Sequence, residues 1–289
     1  MLASDWPLPE LPPAPGAARA AIAIERGAAP FDDRDVVWFR EWRLPDEEPW
    51  LVAARLPAGG YIVRVPDLAD FLIDDAGTRV RVVGGADTQD DTLRHLLLDH
   101  ILPLVMTNRG ELVLHASGVL LAQGAVLFIA RSGSGKSTIA AALGAGGARV
   151  VADDAIVLRE SGEGLLAIGA YSGLRLWTAG ESDKRRISPA ESSMPFADTP
   201  VHVAGIYVLN PSPSASIRID PLPPRDAVMA LVANSYVLDS GDPARLERHL
   251  DCAIGCGRAV PVRRLAFPHD ADRLDELCRS LLDDHRHLA

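Results

Sequence analysis

The densest chemistry in the chain lies in Ala130-Arg131-Ser132-Gly133-Ser134-Gly135-Lys136-Ser137-Thr138. The run matches the phosphate-binding Walker A loop GxxxxGK[ST] except at its opening glycine, which is Ala130 here. Glycines in such a loop let successive backbone N–H groups turn inward onto a phosphate. The helix that follows adds partial positive charge at its N-terminus. In that arrangement Arg131 through Thr138 line the anion, Lys136 bridges two phosphates and the Ser137 hydroxyl ligates Mg²⁺. Ala130 must then adopt an ordinary backbone conformation. A chance Gly/Ser turn is the competing account, and the predicted strand before the loop and helix after it weigh against that account.

Two further features bear on the loop. Arg149-Val150-Val151-Ala152-Asp153 is predicted to be the next strand, with a carboxylate at its C-terminal end, where ligands sit in α/β sheets. Neighbours on a strand point to opposite faces, so Asp153 and Asp154 reach one ligand only where the strand ends or bends. One carboxylate then holds the metal, directly or through water, and the other accepts a proton from an attacking hydroxyl. An Asp pair that merely caps a turn is the plainer alternative. His115 lies in the apolar run Leu112 to Val119, where a lone histidine is ordinarily a core residue. The small residues Ala116, Ser117 and Gly118 nevertheless permit close approach of backbone or ligand. The chain has neither a guanine-reading Asn-Lys-x-Asp nor a Leu-Ser-Gly-Gly signature, which argues against switch GTPases and transporter ATPases.

The 289 residues must supply the elements that position these groups, and their number allows one large domain or two smaller ones. Lys and Arg number 29 against 39 Asp and Glu, a net charge of −10, so a nucleic-acid partner is not expected. Three cysteines cannot form a disulfide framework and are expected as small apolar residues on C-terminal helices, in a reducing cytoplasm. The N-terminus is acidic and Pro-rich rather than signal-like. The longest apolar stretch, Leu96 to Met106, is broken by Asp99, His100 and Pro103, so no membrane span is expected.

Residues 1–18 are expected to be a flexible arm, and 19–88 a small mostly-β domain. Its predicted strands are Ile22 to Ile24, Val36 to Leu44, Trp50 to Leu56, Tyr61 to Val65 and Arg79 to Val83. Residues 89–289 follow as an α/β domain. It opens with a helix capped by Asp91 or Thr92 and apolar through Leu104. Strands are then expected at Leu112 to Leu121 and Ala125 to Ile129, and a helix at Ser137 to Leu143. A further strand, Val150 to Leu158, is interrupted by the aspartates. Ser161 to Thr199 looks loop-rich, and a linker is expected at Pro211 to Ser216. Strands at Val201 to Leu209 and Val260 to Ala266 alternate with helices at Arg225 to Ala233, Pro243 to Cys256 and Ala271 to His287.

Leu114-His115-Ala116-Ser117-Gly118, Ser132-Gly133-Ser134-Gly135-Lys136-Ser137 and Val151-Ala152-Asp153-Asp154, in that order, resemble the catalytic domain of HPr serine kinase/phosphorylases. They are more similar still to the smaller HPr-kinase-like proteins of peptide-modification clusters, lasso-peptide kinases included. The resemblance covers about Asp91 to Phe267. It implies a P-loop kinase domain related to phosphoenolpyruvate carboxykinase, with ATP and Mg²⁺ as cofactors and a homo-oligomeric assembly. It implies roles for His115 and Lys136 in the active site, Asp154 as proton acceptor, and Asp153 with Ser137 at the metal. Arg175, Lys184 and Arg185 are implied at the phosphates or an acidic substrate, a solvated basic run being the alternative for the last two.

This chain departs from the full family pattern. It lacks the acidic glycine-rich signature before a second metal-binding carboxylate and the late Pro-Gly-Arg-Asn loop used in dephosphorylation, and Ala116 follows the histidine in place of glycine. These departures count against HPr as acceptor and against the reverse reaction. The leading expectation is an ATP- and Mg²⁺-dependent kinase acting on a hydroxyl, serine above all, of a peptide or small protein such as a ribosomally made precursor. A small-metabolite kinase on the same fold and a non-catalytic nucleotide-dependent regulatory module are the alternatives.

Overall fold

The structure is a computed structural model that describes residues 2–11, 21–28, 31–43, 47–169, 174–177, 184–187 and 194–287, with backbone alone at 174–177 and 184–187. Its contacts divide the chain into two units, one of Met1–Gly110 with Val237–Arg245, the other of Glu111–Tyr236 with Leu246–Ala289.

Alternating apolar residues build the first unit around a seven-stranded sheet. Its strands are β1 (Leu2–Ser4), β2 (Ile22–Arg26), β3 (Val37–Trp42), β4 (Leu51–Arg55), β5 (Tyr61–Val65), β6 (Ala69–Ile73) and β7 (Arg79–Gly84), in the order β1-β2-β7-β6-β5-β4-β3. The first three in that order run parallel and the remainder form an antiparallel meander.

Two strands here were not expected. β6 sits between aspartates in sequence, yet Ala69, Phe71 and Ile73 face the core. The outward Asp70 is paired with Arg64 of β5 (Nε–Oδ1 2.6 Å). β1 belongs to the predicted flexible arm, but Leu2–Ser4 pair with Ile22–Ile24, and Trp6 is buried beneath the Arg26 guanidinium. One buried indole with a strand edge holds this segment despite its prolines; residues 12–18 lie outside those described.

The predicted helix after residue 88 begins at Asp90, behind Gln89 rather than a capping Asp91 or Thr92. It is α1 (Asp90–Leu96), a wider π turn (Leu97–Ile101) and α2 (Leu102–Asn108). Pro103 has no N–H to donate to the carbonyl four residues back, and the wider turn falls where that bond is missing. These helices belong to the first unit, so the boundary lies at Gly110 and not at 88. Val237–Arg245 joins them because Asp239, 4% exposed, accepts from Arg55 Nε at 2.6 Å and Tyr61 Oη at 3.0 Å.

Among its described residues the second unit has a nine-stranded sheet and a separate two-stranded ribbon. Its strands are β8 (Leu112–Leu114), β9 (Ala116–Leu121), β10 (Gly124–Ile129), β11 (Arg149–Ala152), β12 (Ile156–Ser161) and β13 (Gly164–Gly169). They continue with the ribbon β14 (Leu174–Trp177) and β15 (Lys184–Ile187), then β16 (Val201–Pro211), β17 (Arg218–Pro221) and β18 (Val262–Phe267). The helices are α3 (Lys136–Ala145), α4 (Pro224–Ala233), α5 (Pro243–Ala259, of which the second unit holds the part from Leu246 onward) and α6 (Leu274–His285). The described residues of 161–199 therefore include three strands where loop was expected. The expected linker 211–216 is a short turn into β17, which pairs antiparallel with β18.

The central strand β10 shows why its sequence is uniformly apolar. Ala125, Leu127 and Ile129 join a core with Leu231 of α4 and Ala253 of α5. Val126 and Phe128 join another with Ile139 of α3 and Leu277 of α6. A strand covered on both faces has no polar side to alternate. β16 and β18 run parallel to it, while β9 lies antiparallel on its other side. No disulfide joins the cysteines, Cys252 and Cys256 on α5 and Cys278 on α6; burial pushes the Cys256 thiol up to about 12. Among the described residues no helix is long and apolar enough to cross a membrane.

Two buried imidazoles make this unit sensitive to acid. His249 is 5% exposed and His285 2% exposed, and His285 Nε2 accepts from the Gln123 N–H at 3.1 Å. Burial pushes both below the ordinary 6.5, with Asp284 opposing part of the effect at His285. The unfolded chain then takes up protons before the folded one does. Their contribution is complete above 6.5 and is lost as pH falls through it. The unfolding midpoint should drop between about pH 7 and 5, and His285→Gln should flatten that drop; a profile flat in the parent protein would contradict the assignment.

Candidate active site

Lys136 and Ser137 open α3, directly after the loop that leaves the C-terminal end of β10. Ala130 lies outside the left-handed region, so the missing glycine costs no strain. Gly133 and Gly135 do need positive φ, at 80° and 93°. A Cβ on Gly133 would meet nothing within 4 Å, so conformation and not crowding demands glycine there. Arg131, Ser132 and Gly133 are exposed, and no acidic residue occupies the first turn of α3. The positive end of that helix is thus not neutralised by its own first turn, as an anion site requires. Lys136 is 6% exposed and its Nζ donates to the Ala130 carbonyl at 2.8 Å, which holds the ammonium against the loop.

β11 ends at Ala152, and the two aspartates occupy the bend beyond it. Asp153 is 4% exposed, and its Oδ1 accepts from the Ser137 hydroxyl at 3.0 Å and from the Ser117 hydroxyl of β9. A buried carboxylate needs such donors, each worth about 1.5–3 kcal/mol when the acceptor is charged. Asp154 has φ 70°, and the Ala155 N–H donates back to the Asp153 carbonyl at 3.0 Å. Together these make Asp154 the centre of a γ-turn of the strained hand. The bend that two neighbouring carboxylates require for work on one ligand is therefore built into the backbone.

His115 interrupts the predicted strand Leu112 to Leu121, and its ring is half-buried instead of lying in the core. Its N–H donates to the Asn234 carbonyl at 2.7 Å, and its Nδ1 lies 3.1 Å from the Asp154 carbonyl. The Tyr236 hydroxyl donates to that same carbonyl at 3.2 Å. His115 is thus hydrogen-bonded at Asp154 and the loop's Ser137 at Asp153, two sets that meet through the peptide joining the two aspartates. Arg175 pairs across the ribbon with Arg186, Leu176 with Arg185 and Trp177 with Lys184; the side chains of Arg175, Lys184 and Arg185 lie outside those described.

Sequence reasoning missed two members of these sets. Ser117 could have been found, since it lies two residues beyond His115 and so on the same side of an extended strand. Tyr236 carries no local signal, because only the return of the chain after α4 brings it beside β8. A cavity of about 850 Å³ opens at the other end of α3, lined by residues including Leu120, Leu143, Arg149 and Leu282, and contains none of the loop residues.

No family model matches the chain, and no curated protein matches it. A solved structure of the Hpr(Ser) kinase/phosphatase from Coxiella burnetii is similar over 60% of this chain and 90% of that one, with 17% identity and a TM-score of 0.38.

The γ-turn at Asp154 reverses an ordinary order of stabilities. A side chain at positive φ costs about 1–2 kcal/mol that glycine avoids. Asp154→Gly should therefore be more stable than Asp154→Ala by about 1 kcal/mol in chemical denaturation. The opposite order would place Asp154 outside the left-handed region.

Proposed function

We propose that this chain is an ATP-dependent phosphotransferase that moves the γ-phosphate to a hydroxyl, serine above all, on a peptide or small protein. The observation that carries the reading is the Ser137 hydroxyl resting on Asp153 at 3.0 Å, one residue before Asp154 and beside His115. A phosphate-type loop, a buried carboxylate and a second carboxylate in a strained turn are the parts that such a transfer uses. The proposal includes the expectation, from the motifs alone, of a domain of the HPr kinase and phosphoenolpyruvate carboxykinase type.

The donor set suits Mg²⁺: a hydroxyl and a carboxylate, both hard oxygen ligands, at the mouth of an anion loop. Ser137 and Asp153 would hold the ion, which when bound supplies positive charge against the phosphate oxygens. The chain's own groups do the rest. Backbone N–H groups of 132–136 and the start of α3 orient the phosphates. The Lys136 ammonium leaves its carbonyl partners for the phosphate oxygens and offsets the charge there. The Asp154 carboxylate takes the proton of the attacking hydroxyl as its oxygen bonds to the γ-phosphorus and the bond to the bridging oxygen breaks, releasing ADP. His115, on the Asp154 carbonyl, keeps that carboxylate in place. Arg175, Lys184 and Arg185 are proposed to meet the acidic part of an acceptor.

Labelled ATP and a library of serine-containing peptides test the proposal. The parent protein should transfer label. Lys136→Ala should lose nucleotide affinity, and Asp154→Asn should keep it while slowing transfer about 10²–10⁴-fold, the usual share of a general base. Label appearing on small metabolites instead would redirect the acceptor class. Binding of ATP without transfer to any hydroxyl would defeat the enzyme reading.

A further inference from the structure

The segment that follows α4 has no role in the loop chemistry, yet it is tied to the site at every residue. The Asn234 carbonyl accepts from the His115 N–H at 2.7 Å, Ser235 bridges Leu114, and the Tyr236 N–H donates to the Val113 carbonyl at 3.0 Å. The Ser235 hydroxyl lies 2.8 Å from the Val232 carbonyl and 2.7 Å from Nε2 of the buried His249. A carbonyl can only accept, so the hydroxyl donates there and the imidazole N–H donates to the hydroxyl. Residues 234–236 are thus fixed as a short antiparallel partner of β8, with the Tyr236 ring edge-on to His115 at 6.2 Å between centroids.

This fixed segment delivers one hydroxyl to the carbonyl of the strained residue. A carbonyl oxygen has two lone pairs, and Asp154 has two neighbours for them: Tyr236 Oη at 3.2 Å and His115 Nδ1 at 3.1 Å. With both donating, the peptide after Asp154 cannot rotate toward a relaxed conformation without giving up two hydrogen bonds. A proton on Nδ1 also leaves Nε2 of the neutral His115 ring as an acceptor. We infer that Tyr236 is a positioning residue, clamping the Asp154 γ-turn so that its carboxylate stays at the reacting hydroxyl. The inference rests on the phosphotransfer reading above for its catalytic half and on the turn geometry alone for the rest.

Tyr236→Phe in the full chain keeps the ring and removes the donor. Exchange of the Ala155 amide, the donor that closes the γ-turn, should speed up about tenfold. Turnover should fall about tenfold or more while the KM for ATP stays within a factor of about two, since the nucleotide loop is untouched. In the parent protein, ¹⁵N shifts should show the His115 proton on Nδ1, a measurement that holds even where the variant folds poorly. An unchanged Ala155 amide, a bare Nδ1, or faster exchange with undiminished turnover would each overturn the inference. A parent protein that transfers no phosphate defeats the phosphotransfer reading separately, and the exchange and nitrogen shifts then decide whether the clamp exists.

Discussion

Asp153 brings a carboxylate almost out of water, and a buried charge must find donors or lose its ionisation. It finds them on two different elements, Ser117 of β9 and Ser137 of α3. That requirement couples three pieces of chain that otherwise only pack: the strand beside β10, the helix after the loop, and the bend after β11. The first turn of α3 cannot turn away from the bend without withdrawing the Ser137 donor from the carboxylate. The loop therefore inherits its orientation toward Asp154 from a hydrogen-bonding need at the residue before it. Gly118 adds to this closeness, because a Cβ there would stand 2.7 Å from Leu127 in the core.

Strain and support are close together at the next residue. Asp154 occupies a conformation of order 1–3 kcal/mol above the common basins. It is held by one short-range bond, from Ala155, and by two long-range ones, from His115 and Tyr236. A conformation of this kind persists where the surroundings over-determine it, and such residues gather at sites that do chemistry. Here the surroundings come from three separated stretches of sequence.

Much of this was legible in the residues. The loop and its placement between strand and helix followed from local spacing, and so did the bend at the aspartates, since alternation on a regular strand forbids both from meeting one ligand. His115 was legible only through its company in the motif order; its departure from the strand depends on Asn234, far away in sequence. β6 was hidden because Asp70 reads as a turn residue until Arg64 is seen beside it. β1 was hidden by the prolines that follow it. The helix after residue 88 was visible, but its π turn required noticing what Pro103 withholds. The boundary at Gly110 is not marked in the sequence, because the turn at 84–88 lies inside the first unit, and no local pattern records that Val237–Arg245 belongs with strands far earlier in the chain.

That excursion has a consequence for how such a chain can be assembled. Asp239 is a buried carboxylate supplied by the latter half of the gene, and its donors Arg55 and Tyr61 come from the beginning. Recombination that exchanged residues 1–110 at a single breakpoint would take away both of these side-chain donors and leave it the Gly241 N–H alone among the three. Transplanting the first unit whole therefore takes a second graft, of the short segment around Asp239.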